Sequence, residues 1–491
     1  MANKKNWLGI LAMVLVFGMT IVGCDNDSDN DSDNDSTNGN YEKLGTFDNP
    51  FLITNETDLR KVGTGKDGWS RAAYYQLTVD INLENRAWTP IGNSHNNSFS
   101  GSFDGNGKNI LGLLINSTAE YVGFFGNVGK GAIVKNLTII GYVTGSYDHY
   151  GYVGGIVGMN DGGKIENCYF DGNVTGSGSP GATNCVGGVV GSNGSQSNIS
   201  STVENSYSTG NVIGINAYVG GVVGYNYKMV QGCYSSSEIT GDYYVGGVVG
   251  YNGGLHIGNG VIVTGIIQNC YSIGNVIGGT WARVGGVVGN NSGTLQNSYS
   301  SGNISGNSAG GVAGWNFSGT IQNCYSTGNV AGGGEGAGGI VSWNEGTIKN
   351  CYAIGNISGT IIVGGVSARD STGHSTSTGN DKVINCISLG SSITVSPDGF
   401  WDPNIGRVTG YFASTSFTNN HARNDMVITG VTVTIISDPN GNHGADITSV
   451  QWNNASWWQN IAQFSSDIWE FRSGLPILKG MPTGTQNPMV L

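Results

Sequence analysis

A parallel β-helix is the architecture this sequence predicts, and three observations predict it. First, the string VGGVVG occurs four times, at Val186–Gly191, Val219–Gly224, Val245–Gly250 and Val284–Gly289. A nucleotide-binding fold needs one glycine turn between a strand and a helix. No amphipathic helical pattern follows any copy, so the string is a structural repeat and not a cofactor loop. Second, a small residue recurs at Cys168, Ser206, Cys233, Cys270, Ser298, Cys324, Cys351 and Cys386, with separations of 38, 27, 37, 28, 26, 27 and 35 residues. The base unit is 26–28 residues, with longer insertions at three places. Third, 85 Gly stand against 9 Pro with no Gly-X-Y period, and only 11% of residues are charged. Val, Ile, Tyr, Asn, Ser and Thr between glycines suit short strands and tight turns. Such short units cannot bury a face alone, but stacked coils can. The fold expected is all-β: a right-handed parallel β-helix (β-solenoid) of about eight 26–28-residue coils with N- and C-terminal caps. The hand follows from the right-handed preference of parallel crossovers.

The elements follow in order. Lys4 and Lys5 precede an apolar run, Trp7–Gly23, placed as a signal peptide and too short for a membrane span. It ends in "IVGC", Ile21–Cys24, which resembles the bacterial lipobox. That resemblance implies residues 1–24 as a lipoprotein signal peptide, with Cys24 as the lipid attachment site and mature N-terminus. Loss of Lys4 and Lys5 leaves 19 basic against 33 acidic residues, a net charge of −14. Residues 25–44 read as a tether, because "DNDSDNDSDNDSTNGN" has no apolar side chain to bury. The Gly and closing Glu of a calcium loop are missing.

Residues 45–120 read as an N-terminal capping segment. Asn55–Val62 has a helix start and apolar spacing, Tyr74–Leu83 alternates like a strand, and Phe99–Ile115 reads as a hairpin-like pair turning at Asp104–Gly107. Residues 121–398 hold the repeats, as in "AGGVAGWNFSGTIQNCYSTGNVAG", Ala309–Gly332. Three short strands per coil are expected, VGGVVG being the first. Its Val residues feed a narrow core, and its Gly pair lets the backbone turn or neighbouring coils approach. Asn recurs after the first block (Asn160 to Asn344), before the small residue (Asn167 to Asn350) and in the third block (Asn173 to Asn356). Asn tolerates the left-handed corners a coil needs, and stacked amides can hydrogen-bond between coils.

Cys168, Cys233, Cys270, Cys324, Cys351 and Cys386 form a small inward-facing structural ladder in which Ser substitutes freely. Free stacked thiols are the preferred reading; a disulfide such as Cys324–Cys351 is the alternative. Directly after them stand Tyr169, Tyr207, Tyr234, Tyr271, Tyr299, Tyr325 and Tyr352. An unbroken strand would put Ile321 and Tyr325 on one face, opposite Cys324. A corner at Asn323 resets the phase, so that Ile321 and Cys324 face in and the phenols face out. They then either stack to stiffen the sheet or form a candidate platform for glycan or protein. Residues 399–491 read as a C-terminal cap. Trp452, Trp457, Trp458 and Trp469 either cover the open end of the solenoid or bind sugar.

The balance of −12 excludes nucleic acid as a partner, since phosphate binding needs a basic surface. No Cys-x2-Cys pair exists to hold zinc, so no metal and no cofactor is expected. Charged residues in the repeats, such as Lys164, Glu166, Glu204, Arg283 and Glu345, are thinly scattered and read as not recurring on neighbouring coils, so no catalytic residue is assigned.

"VGGVVGYN…QNCYSIGNVIG" resembles the GLUG repeat of bacterial surface proteins, and the segments from "DNPFLI" to "VGFFGNV" and "WEFRSGLPILKG" resemble the parts that flank it. The resemblance spans roughly residues 45–480. It implies surface placement and adhesion-like roles with no fixed ligand. Some members of that family carry a metallopeptidase domain that cleaves immunoglobulin A. None of the six His here stands in the His-Glu-x-x-His spacing that activity needs. The function expected is a non-catalytic binding or adhesion module, lipid-anchored on the periplasmic face or outer surface of a bacterial envelope. Its partners are the membrane, through the lipid, and a glycan or protein. The alternatives are a purely structural envelope protein and a carbohydrate-active β-helix lyase or hydrolase.

Overall fold

The computed structural model describes residues 44–489, apart from 148–149, 182–183, 196–199, 258–260, 371–381, 398–401, 414, 473 and 487. Cys24, the expected signal peptide and the expected tether up to residue 43 lie outside the described residues. The rest is a parallel β-helix. Among the described residues, one ladder of thirteen parallel strands climbs from Phe51–Ile53 through Tyr74–Leu77, Ser102–Asp104 and Ile133–Tyr147 to Ser416–Thr418. A second sheet of ten strands runs from Phe125–Val128 to Thr409–Phe412. One apolar core runs inside the coils, from Phe51 to Met426.

Residues 45–120 are therefore coils and not a cap, and the stack is taller than the eight coils expected. Phe51, Tyr75, Phe103 and Val134 stand in register in one buried column. Large aromatic side chains fill the core there, where the repeats use Val and Ile, so the repeat signature is lost while the coil persists. The expected hairpin at Phe99–Ile115 is absent for the same reason. Ser102–Asp104 and Asn109–Ser117 do not pair with each other; each pairs in parallel with the coils on either side. Asn106 (φ 51°) and Gly107 (φ 68°) turn a corner, leaving Phe103 and Ile110 both facing the core. The expected helix is a single turn, α1 (Glu56–Leu59), capped by Asn55 Oδ1 accepting from the Asp58 N–H at 2.9 Å.

VGGVVG is not one strand. It straddles a corner between Asn184–Gly187 and Val190–Asn193. The N–H groups of Val189 and Val190 both donate to the Val222 carbonyl of the next coil, at 3.0 and 2.9 Å. Consecutive Val residues can both face inward only because the chain bends between the two sheets, and both are fully buried. The glycines serve close approach. A Cβ on Gly187 would run into the Val190 carbonyl, and one on Gly188 into the Gly221 carbonyl of the next coil.

The three Asn families solve three different problems. Asn167, Asn205, Asn269, Asn297, Asn323 and Asn350 are the left-handed corners, with φ between 48° and 54°. The family after VGGVVG is not left-handed but forms a buried amide ladder. Asn160 donates to Asn193 at 2.8 Å, and the chain continues through Asn226, Asn252, Asn291, Asn316 and Asn344 to Asp370. A carboxylate suits the terminus, because it accepts without having to donate onward. The third family is exposed; there Asn275 Oδ1 accepts from the Asn303 N–H of the next coil at 3.0 Å.

Candidate binding surfaces

A left-handed corner, Asn in most coils and Gly232 (φ 64°) before Cys233, turns the chain so that the next side chain points into the core. Cys168, Cys233, Cys270, Cys324, Cys351 and Cys386 are fully buried free thiols. Each donates across the corner to the carbonyl two residues back, as Cys324 Sγ does to Gln322 at 3.2 Å. Ser206 and Ser298 make the same bond at 2.8 Å, which is why Ser replaces Cys there; in the coil preceding Cys168 a buried Leu137 fills the same register position. Burial pushes the Cys168 thiol up to about 12 and the Cys351 thiol well above its ordinary value, so these two thiols stay protonated and unreactive at neutral pH.

The tyrosine after each corner faces outward, stacked on its neighbours from Tyr169 to Tyr352 with centroid spacings of 4.1–5.0 Å. From Tyr207 onward the rings lie within 9° of parallel. Each interior ring has both faces against other rings and offers only edges and a hydroxyl outward. Sugar stacking needs a free face, and the row does not supply it.

The row is also half covered. Tyr169, Tyr207 and Tyr234 are partly exposed, whereas Tyr271, Tyr299, Tyr325 and Tyr352 are buried under the chain's own C-terminal segment. α2 (Ser449–Trp452), α3 (Ala455–Asn460) and the short pair Trp469–Glu470 with Ile477–Leu478 build this strap. Tyr299 shares a hydrogen bond with Thr485 at 2.5 Å. Tyr325 donates to Gln486 Oε1 at 3.1 Å, and Tyr352 to the Pro476 carbonyl at 2.6 Å. Trp458, Phe464 and Trp469 pack against Tyr352. The C-terminal tryptophans thus cover a flank of the solenoid rather than its open end. The seven-phenol outer platform shrinks to three accessible rings, because four already have a partner in the same chain.

A second aromatic surface, unforeseen in the sequence, lies on the outer face of the ten-stranded sheet. From Tyr225 onward the third residue of each strand lies in a column of Tyr225, Tyr251, Asn290, Trp315, Trp343, Arg369 and Tyr411, of which Asn290 and Trp315 are buried. Arg283 lies 4.3 Å over Trp315, and Arg369 4.7 Å over Trp343. Beside the column, Tyr218 and Tyr244 pack within 5.7 Å of Tyr225, Tyr243 and Tyr251. At the corner leading into this patch stand Ile215, 51% exposed, Tyr243, 44%, and Trp281, 77%. The signal was present in the variable letter of "GYN" and "GWN" and in the lone Trp of "GGTWAR".

The charged residues do recur on neighbouring coils, contrary to expectation. Asp104, Lys135, Glu166 and Glu204 share one register column, and Lys164 bridges Glu166 and Glu204 at 3.1 Å each. They lie on a partly exposed sheet face, not converging in a cleft. Among the described residues no group of three or more His, Cys, Asp and Glu is placed to hold a metal.

The model of the GLUG motif matches residues 149–175, 305–331 and 333–358, each spanning one Asn-Cys-Tyr corner. The chain carries GLUG repeats. Similar proteins include halomucin of Haloquadratum walsbyi, 36% identical over 28% of this chain and 2% of that protein. A "putative Gly-rich membrane protein" of Evansella cellulosilytica is 36% identical over 20% of this chain and 12% of that one. The chain spans only these small shares of both relatives. Among solved structures, "a putative immunoglobulin A1 protease from Bacteroides ovatus" is 18% identical, with 89% of this chain and 95% of that chain covered and a TM-score of 0.33.

Proposed function

We propose that this protein is a non-catalytic binding module of the cell envelope, held at a membrane by lipid on Cys24, whose ligand contacts are made by the patch around Tyr218, Tyr243, Tyr251 and Trp281. The single observation that carries this reading is Trp281, a large apolar ring left 77% exposed two residues before Arg283, which itself lies 5.9 Å over the Tyr244 ring of the phenol cluster. Exposed aromatic clusters rimmed by polar groups mark interaction sites, and phenols add hydroxyls for a glycan or protein partner. Two relatives named as a mucin and as a membrane protein support envelope placement. A second reading, a purely structural envelope protein, draws on the stacked phenols and buried amide ladder, which stiffen the coil without a ligand.

Attachment of fluorescently labelled protein to intact cells and to isolated cell-wall polysaccharide separates the two. Trp281→Ala with Tyr243→Ser should lower attachment about tenfold or more, the scale of an interface hot spot, with unchanged thermal unfolding. Attachment by the double variant at the parental level would leave the structural reading. Cys24→Ser should release the protein from the detergent-phase membrane fraction; retention there would refute the anchor.

A further inference from the structure

A cleft in the first coils, remote in sequence from the aromatic patch, has the chemistry of an anion site. It lies between α1 and the chain from Trp88 to Asn97, has a volume of about 270 Å³, and is lined by Arg60, Arg71, Trp88, Thr89, Asn93 and Asn97. No carboxylate lines it, in a chain with 33 acidic residues against 21 basic.

Arg71 differs from most of the arginines. Arg60, Arg86, Arg283, Arg407, Arg423 and Arg472 each sit on an Asp or Glu. Arg71 is half-buried at the cleft wall and has no acidic partner among the described residues. A guanidinium lining a cleft and left without a carboxylate suits a planar anion, which it binds through two parallel N–H···O bonds. The facing wall is rigid. Trp88 stacks on Phe124 at 4.7 Å, donates its Nε1–H to the Phe124 carbonyl at 3.0 Å and lies 5.2 Å beneath Arg60, whose charge Glu56 already engages at 2.8 Å. Two left-handed glycines shape the walls. Gly63 (φ 77°) faces Arg71 Cγ, and a Cβ at Gly92 (φ 68°) would meet the Phe99 N and the Asn127 carbonyl. Thr89, Asn93 and Asn97 bring neutral donors and acceptors of the kind that pair with hydroxyls.

We infer that this cleft binds one carboxylate-bearing sugar unit, with Arg71 holding the carboxylate and the Thr and Asn side chains meeting the hydroxyls. The volume is below that of a drug-sized pocket and suits a single ring. The neutral polar lining favours a sugar acid over a bare carboxylate.

Calorimetric titration of the full chain with D-glucuronate, D-glucose and acetate tests this. Glucuronate should bind in the millimolar range, more weakly as salt rises, with glucose and acetate each at least about tenfold weaker. Arg71→Gln should weaken glucuronate about tenfold or more, the loss of a charge-assisted pair. Arg472→Gln removes the same charge elsewhere and should leave binding intact. No heat with glucuronate, an Arg71→Gln protein that still binds, or equal loss in Arg472→Gln would overturn the site. Equal binding of acetate and glucuronate would overturn the sugar assignment. These outcomes are independent of attachment through Trp281.

Discussion

The two halves of the tyrosine row carry the same motif in the same register, yet they meet different fates. Tyr169, Tyr207 and Tyr234 face outward in part, while Tyr271 to Tyr352 form the floor of a second apolar core shared with Trp458, Phe464 and Trp469. Tyr234 and Tyr299 both follow a left-handed corner and a small buried residue, so the repeat gives no reason for one to be covered and the other not. The difference is imposed by a strap more than a hundred residues away in sequence, whose Thr485, Gln486 and Pro476 take the phenol hydroxyls. A periodic solenoid surface thus becomes aperiodic through one non-repeating segment. Its outward side chains have to be read against that segment before any is assigned to a ligand.

The sharpest way to break this comparison is to truncate one ring in each half. Tyr325→Ala should cost about 3–5 kcal/mol, as loss of a buried aromatic does, and should release the strap. Tyr207→Ala, in the open half, should cost about 1 kcal/mol. Urea unfolding followed by tryptophan fluorescence reads the strap directly, and equal losses at the two positions would refute the division.

Acid should separate the halves next. His421 stands at the row position two coils beyond Tyr352, edge-on to Trp457 at 5.1 Å. Its Nε2 pairs with Asn419 Oδ1 at 3.1 Å, and its Nδ1 is buried with no hydrogen-bond partner among the described residues. Burial lowers its pKa to about 4. A depressed folded-state value gives stability that is present above the unfolded value of about 6.5 and lost as pH falls through about 4, worth on the order of 3 kcal/mol. Tryptophan fluorescence should therefore shift between those pH values, and His421→Gln should abolish the shift. A shift that survives the substitution would assign it to other groups.

The smallest effect sharpens the comparison by being uniform. The amide ladder runs through the coils of both halves, so Asn193→Ala and Asn316→Ala should cost alike, about 1–3 kcal/mol each, for one amide left unpaired. Hydrogen-exchange protection of the flanking valines measures this coil by coil. A much larger loss at Asn316 would mean that the strap couples to the ladder.

Much of this was legible in the residues. The spacing of Cys168, Ser206 and their successors set the coil length, and Asn323 before Cys324 marked the corner that turns thiol inward and phenol outward. The C-terminal strap was not legible as such. Its tryptophans announce a buried cluster, but sequence holds no record of whether that cluster closes an end or lies along a flank. The first coils escaped because Phe51, Tyr75 and Phe103 do the work of Val and Ile without repeating their letters. The column through Tyr251, Trp315 and Arg369 escaped because its letters vary from coil to coil.

What the sequence determined by itself was local and periodic: strand length, the left-handed Asn turns, the small inward residue and the glycines that admit a neighbouring carbonyl. These depend on backbone sterics and on one coil repeating the next. What only the tertiary structure decided was which repeated side chains remain accessible. Accessibility depends on contacts between segments far apart in the chain: the strap over Tyr271–Tyr352, the unpaired Arg71 in its cleft, and Trp281 left without a cover.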